Sequence, residues 1–126
     1  MKKIKVGFLP LYIKLYDDSQ GLGYRIPMEK YMKMAINMLE TQGIEIVQAD
    51  VCRIKPEFDA AAAMFNEADV DAVITFHLAY SPSLESIEAL LSLKAPIIVF
   101  DSTPHYELIK VAGYEGRISP NHGIHG

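Results

Sequence analysis

The chain has 126 residues, half of them hydrophobic and 22% charged, a balance that excludes a disordered or fibrous protein and gives one domain with one core. Twelve Lys and Arg against sixteen Asp and Glu leave a formal charge of -4 with no basic cluster, which argues against a nucleic-acid partner, because phosphate neutralisation needs a basic surface. A single cysteine, Cys52, forms no internal disulfide, so a reducing cytoplasm is the expected compartment. No membrane partner is expected either, because no apolar run reaches about 18 residues and Lys5 and Lys14 interrupt the basic, apolar start.

Residues 3 to 9 alternate around Ile4, Val6 and Phe8 and end at Pro10, which predicts a buried first strand closed by a turn. Residues 10 to 23 then read as a loop containing Asp17, Asp18, Ser19, Gly21 and Gly23; loops of about 14 residues in compact domains are often functional. Over residues 25 to 42, Met28, Tyr31, Met32, Ala35, Met38 and Leu39 recur at helical spacing, with Gly43 placed to cap the end. The methionines between 28 and 38 are expected to pack in the core rather than to form an adaptable binding surface.

Residues 44 to 49 predict a second strand, closed by Asp50. Lys55 and Pro56 open a helix with Phe58, Ala61, Ala62 and Phe65 on one face. Residues 72 to 77 form a third strand, apolar nearly throughout as in a parallel strand covered on both faces. Ser83 is expected to cap a helix that directs Leu84, Ile87, Leu90 and Leu91 inward. Residues 96 to 100 predict a fourth strand of the same buried kind, closed by Asp101; residues 106 to 111 read as a short helix and 117 to 119 as a last extended segment. Strands alternating with helices imply an α/β fold. The expected form is a flavodoxin-like, Rossmann-like three-layer sandwich with a parallel sheet of four to five strands, order 2-1-3-4 with any fifth strand last.

Ligands of such sheets meet the carboxyl ends of the strands. The segments there carry Tyr12, Lys14, Tyr16, Asp17 and Asp18, then His77, Tyr80 and Ser81, then Asp101, Ser102, Thr103 and His105; a cluster at residues 121 to 126 closes the chain. Gly21 and Gly23 lie too far past the first strand, and lack the third glycine, for a dinucleotide fingerprint. No P-loop or flavodoxin-type phosphate loop is present. Asp17 and Asp18 stand too far from the first strand to serve as the acidic pair of a phosphate-accepting receiver. Cys52 has no base beside it in sequence and reads as structural; His122 and His125 make a weak metal pair without further ligands.

Several segments together resemble the N-terminal domain of the L-arabinose isomerase and L-fucose isomerase superfamily. Val6-Gly7-Phe8-Leu9 and the following Lys14-Leu15-Tyr16 are similar to its opening strand and loop, although the family's polar residue before Leu-Tyr is here Lys14. Residues 75 to 82, Thr-Phe-His-Leu-Ala-Tyr-Ser-Pro, look like its third strand end, and Lys94-Ala95-Pro96 followed by Ile97 to Phe100 is similar to its fourth strand. Asn121-His122-Gly123-Ile124-His125-Gly126 resembles the Asn-x-x-x-His-Gly element leading into the second domain, so residues 1 to 126 are expected to be a single N-terminal domain cut at the start of the next.

The resemblance implies a cytoplasmic aldose-ketose isomerase that uses Mn2+ or another divalent metal, with metal ligands and acid/base carboxylates supplied by later domains and no catalytic or metal-binding residue in this stretch. It implies a sugar substrate, a homo-oligomer, and substrate contacts from His125, His122, Tyr12, Lys14, Tyr16 and His77. Two readings stand beside it: a stand-alone α/β module that binds a sugar or other small ligand without catalysis, and an unrelated small α/β enzyme with His77 or His125 as base.

Overall fold

The computed structural model describes residues 2–102. The expected helix and strand of residues 106 to 111 and 117 to 119, together with Thr103, His105, His122 and His125, lie outside the described residues. Four strands form one parallel sheet: β1 (Lys5–Leu11), β2 (Glu45–Gln48), β3 (Ala72–His77) and β4 (Ile97–Phe100), in the order β2-β1-β3-β4. The helices are α1 (Lys14–Gln20), α2 (Leu22–Thr41), α3 (Lys55–Glu67) and α4 (Ser83–Leu91). The result is a flavodoxin-like three-layer fold, as the alternation predicts.

The alternation of β1 divides the core between the two faces of the sheet. Val6, Phe8 and Tyr12 join Met28, Met32 and Ile36 of α2. Leu9 and Leu11 join Phe58, Ala61, Ala62 and Phe65 of α3 on the opposite face. Gly7 also belongs to the α3 side, where a Cβ would stand 2.7 Å from Cδ1 of Phe65. A side chain there is excluded by the ring that packs on the backbone.

The strand runs past the expected stop at Pro10 to Leu11. The carbonyl of Pro10 accepts from the Cys52 amide at 2.9 Å, so its nitrogen also faces the β2 side. There β2 has already ended at Gln48, opposite Phe8. The missing N–H therefore removes no ladder bond, and β1 stays paired with β3 as far as Leu11 opposite His77.

The expected loop over residues 10 to 23 is instead the end of β1, the helix α1 and the start of α2. Local bonds hold α1: Lys14 pairs with Asp18 at 2.6 Å, and the Ser19 hydroxyl donates to the Leu15 carbonyl. Its only buried side chain is Tyr16, so no apolar period announces it. Gly21, at φ 65°, makes the corner into α2.

Two further orientations differ from expectation. Met28 and Met32 enter the core, but Met34 and Met38 face out, because the stripe that reaches the sheet runs through Met28, Met32 and Ile36. In α4 the inward residues are Ser86 and Ala89, small enough for the helix to lie close against α3. Leu84 and Leu91 are 87% and 77% exposed, and Ile87 is 44% exposed, so three of the four positions expected inside point outward. Ser83 is the first helical residue, behind Pro82, and makes no side-chain cap. The four side chains of β4 are exposed rather than buried. Among the described residues, no helix is long and apolar enough to cross a membrane.

Candidate functional site

The chain order reverses between β1 and β3, since β1 connects outward to β2 while β3 lies on its other side. In open α/β sheets ligands meet the carboxyl ends of the strands at such a switch point. Tyr12 follows β1 directly and is fully buried. Its amide donates to the Cys52 carbonyl at 2.9 Å. Its ring meets Tyr16 edge-on with centroids 5.9 Å apart, and Tyr16 meets Tyr24 in the same way at 5.7 Å. The Arg25 guanidinium lies 5.9 Å from the Tyr12 centroid, a cation–π distance.

The Tyr12 hydroxyl is buried and has no hydrogen-bond partner among the described residues. Burial, and then the Asp17 carboxylate nearby, push its phenol well above the ordinary value, so it is neutral at physiological pH and able to donate. On β3, His77 Nδ1 is likewise buried without a partner. Burial lowers the His77 imidazole, against the opposing pull of Asp101, so at neutral pH one ring nitrogen is free to accept a hydrogen bond. Ser81, in the turn that follows, carries a third unpartnered buried oxygen. Unsatisfied buried polar groups are uncommon. Three of them lie at the ends of the two paired central strands.

Asp17 organises the rim on the β2 side. Its Oδ2 accepts from Arg25 Nη1 at 2.6 Å and from Arg53 Nη1 at 3.0 Å, which ties α1 to α2 and to the segment entering α3. Each arginine also has a glutamate four residues on. Arg25 Nε stands 3.4 Å from Glu29, and Arg53 Nη2 donates to Glu57 at 2.6 Å. Burial alone would raise the Glu57 carboxyl, but the bonds from the Arg53 side chain and amide outweigh it and hold it below the usual range. The hydrogen bond to Glu57 holds the Arg53 guanidinium firmly charged despite its partial burial.

Arg25, Glu29, Arg53 and Glu57 line a cavity of about 560 Å³ with Asp50 and Cys52. Two guanidiniums face three carboxylates there, Glu29, Asp50 and Glu57, besides the Asp17 they share. The charge lining the cavity is therefore mixed rather than of one sign. Cys52 is not a nucleophile in it: burial, then the carboxylates of Glu57 and Asp50, push the thiol up to about 12. The sulfur donates instead to the Asp50 and Glu57 carbonyls.

Of the residues singled out in the sequence, Tyr12, Tyr16 and His77 come to the switch point. The Lys14 ammonium is paired with Asp18 on the exposed side of α1. Arg25, Glu29, Arg53 and Glu57 were not singled out in the sequence, where acid–base spacings of four are shared by many surface ion pairs. Among the described residues, no group of three His, Cys, Asp or Glu side chains could hold a metal ion, and Asp17, the most enclosed carboxylate of the rim, is occupied by two guanidiniums. The described residues do not fit a metal centre. A scan against models of protein families and a search of curated proteins find no match to the chain.

Proposed function

We propose that this chain is the N-terminal domain of a cytoplasmic, metal-dependent aldose-ketose isomerase resembling the L-fucose and L-arabinose isomerases, and that it forms a wall of the sugar pocket without performing the chemistry. The observation that carries the reading is the set of buried, unpartnered groups at the switch point: Tyr12 Oη, His77 Nδ1 and Ser81 Oγ. A sugar presents hydroxyls that donate and accept at once, so it can satisfy a phenol, a neutral imidazole and a serine hydroxyl together, while its apolar C–H faces suit the Tyr16 and Tyr24 rings. The adjoining cavity, with its balanced guanidiniums and carboxylates, offers the same two-way hydrogen bonding.

In this reading Mn2+ or another divalent ion, and the carboxylates that move the proton through an enediol, belong to later domains of the protein and to a homo-oligomer in which these domains meet. The present residues orient the sugar and exclude water from its far end. The 126-residue chain supplied with Mn2+ is expected to leave L-arabinose and L-fucose unchanged, as followed by ketose formation. In the longer protein, His77→Ala should lower turnover by about tenfold or more, the scale of one lost polar contact in a desolvated site, while bound metal stays stoichiometric. Ketose formation by the 126-residue chain, or a stop codon directly after Gly126 in the gene, would overturn the reading.

A further inference from the structure

Helix α1 stands at the carboxyl ends of β1 and β3. Its single buried side chain, Tyr16, meets Tyr12 edge-on just past β1. Burial raises the Tyr16 phenol, and Tyr80, just past β3, raises it further, so the phenol is within electrostatic range of both strand ends. Tyr12 beside it is fully buried, and its hydroxyl has no partner among the described residues. For a ligand to reach that hydroxyl, an element packed around Tyr12 has to move.

Of those elements α1 is the least anchored. Helix α2 carries Met28, Met32 and Ile36 into the core, whereas α1 carries Tyr16 alone and leaves Leu15 61% exposed. Its side-chain bonds are largely its own, from Lys14 to Asp18 and from Ser19 to Leu15. It ends at Gly21, where φ is 65° and a Cβ would have nothing within 4 Å, so a change of backbone angles there meets no neighbour. What holds the helix down is Asp17, which accepts from Arg25 at 2.6 Å and from Arg53 at 3.0 Å. Against that works the cost of two buried oxygens without partners, Tyr12 Oη and Asp17 Oδ1, which water satisfies once the helix lifts. We propose that α1 is a lid: it swings about Gly21 as an intact helix, with Asp17 latched to Arg25 and Arg53, and it closes over a ligand hydroxyl bound at Tyr12. The ligand's part in this rests on the reading of the switch point as a sugar site; the motion itself does not.

Relaxation dispersion of backbone nitrogen and carbon nuclei in the 126-residue chain reads such a motion, because it detects exchange between microseconds and milliseconds. Residues 13 to 21 should share one exchange process, while residues 72 to 76 of β3 give flat profiles. The minor-state Cα shifts of residues 16 to 19 should remain helical. Arg53→Met removes one latch contact and leaves the other, so the ratio of open to closed lid should rise by about fivefold or more, the scale of one charged hydrogen bond that solvent partly reaches.

Flat profiles over residues 13 to 21 in both proteins would overturn the lid. So would exchange shared with the whole sheet, since α1 would then leave its place only on global unfolding. Random-coil shifts in the minor state would overturn it as well, because the helix would be melting rather than swinging. An open fraction that Arg53→Met leaves unchanged would overturn the latch. No sugar enters these measurements, so failure of the lid is distinguishable from failure of the sugar reading, which the isomerase assay tests.

Discussion

Gly7 and Phe65 form a tight joint in the α3 half of the core. The Phe65 ring is fully buried and rests on the backbone of β1, at the distance where a Cβ would collide with it. Gly7→Ala is therefore expected to destabilise the fold by about 1–3 kcal/mol, the usual cost of overpacking, read as a lower urea midpoint with an unchanged m-value. An unaltered midpoint would mean that the ring can slide aside.

His77 gives a second prediction at this scale. Its pKa is lowered by burial in the folded state, so below about pH 6.5 the unfolded chain binds more protons at this position than the folded one. Stability from neutral His77 is present above that pH and is lost as pH falls from about 6.5 towards the folded value. His77→Gln should flatten the fall in stability between about pH 6.5 and 5, measured by urea unfolding at both pH values; a slope kept in full by the variant would assign it elsewhere. The lowered carboxyls of Glu57 and Asp71 act in a more acidic range, below their ordinary values near 4.

Among the elements, α2 and α3 end in the same way. After α2, the Gly43 amide donates to Glu40 and the Ile44 amide to Leu39. After α3, the Asp69 amide donates to Asn66 and the Val70 amide to Phe65. Both are Schellman closures, with a left-handed residue after the cap and an apolar residue beyond it. Gly43 takes that conformation freely, whereas Asp69 adopts φ 51° with a side chain. Asp69→Gly is expected to stabilise the protein by up to about 1 kcal/mol, the left-handed penalty less the entropy glycine adds to the unfolded chain. A fall in melting temperature would contradict this.

The Gly43 closure was readable from sequence because glycine marks it; the Asp69 closure was not, because aspartate marks many kinds of turn. Helix α1 was missed for a related reason. A short helix with one buried side chain has no period to detect, and Asp17, Asp18, Ser19 and Gly21 are also what a loop contains. Helix α4 was found but rotated. Its leucines and isoleucine dominate the apolar pattern, yet the face that meets the protein is set by Ser86 and Ala89, which allow the helix to approach closely.

Across the whole molecule, the Asp17 carboxylate joins three segments: α1, the adjoining α2 through Arg25, and the more distant entry to α3 through Arg53. Asp17 is largely enclosed, and the two guanidiniums are partly so. Asp17→Asn would leave two neighbouring cations without their shared anion. A loss of about 2 kcal/mol is expected, below the cost of breaking a fully buried pair because solvent still reaches the arginines. Arg53→Met alone should cost less than Asp17→Asn, since Arg25 retains its partner; equal losses would show that the network is not shared.

The sequence by itself determined the class of this fold and its strand order. Short apolar strands alternating with amphipathic helices admit few parallel topologies, and the right-handed crossover rule selects among them. It also placed Tyr12, Tyr16 and His77 at one edge, because the carboxyl ends of all strands in a parallel sheet lie on the same side. Only the tertiary structure decided which polar groups at that edge are left unsatisfied, and that Lys14 pairs with Asp18. It alone brought Arg25 and Arg53, 28 positions apart in the chain, onto one carboxylate, and turned the apolar stripe of α4 outward. Those outcomes depend on how closely each helix approaches the sheet and on which charges meet across segments. Neither distance is encoded in any local pattern of residues.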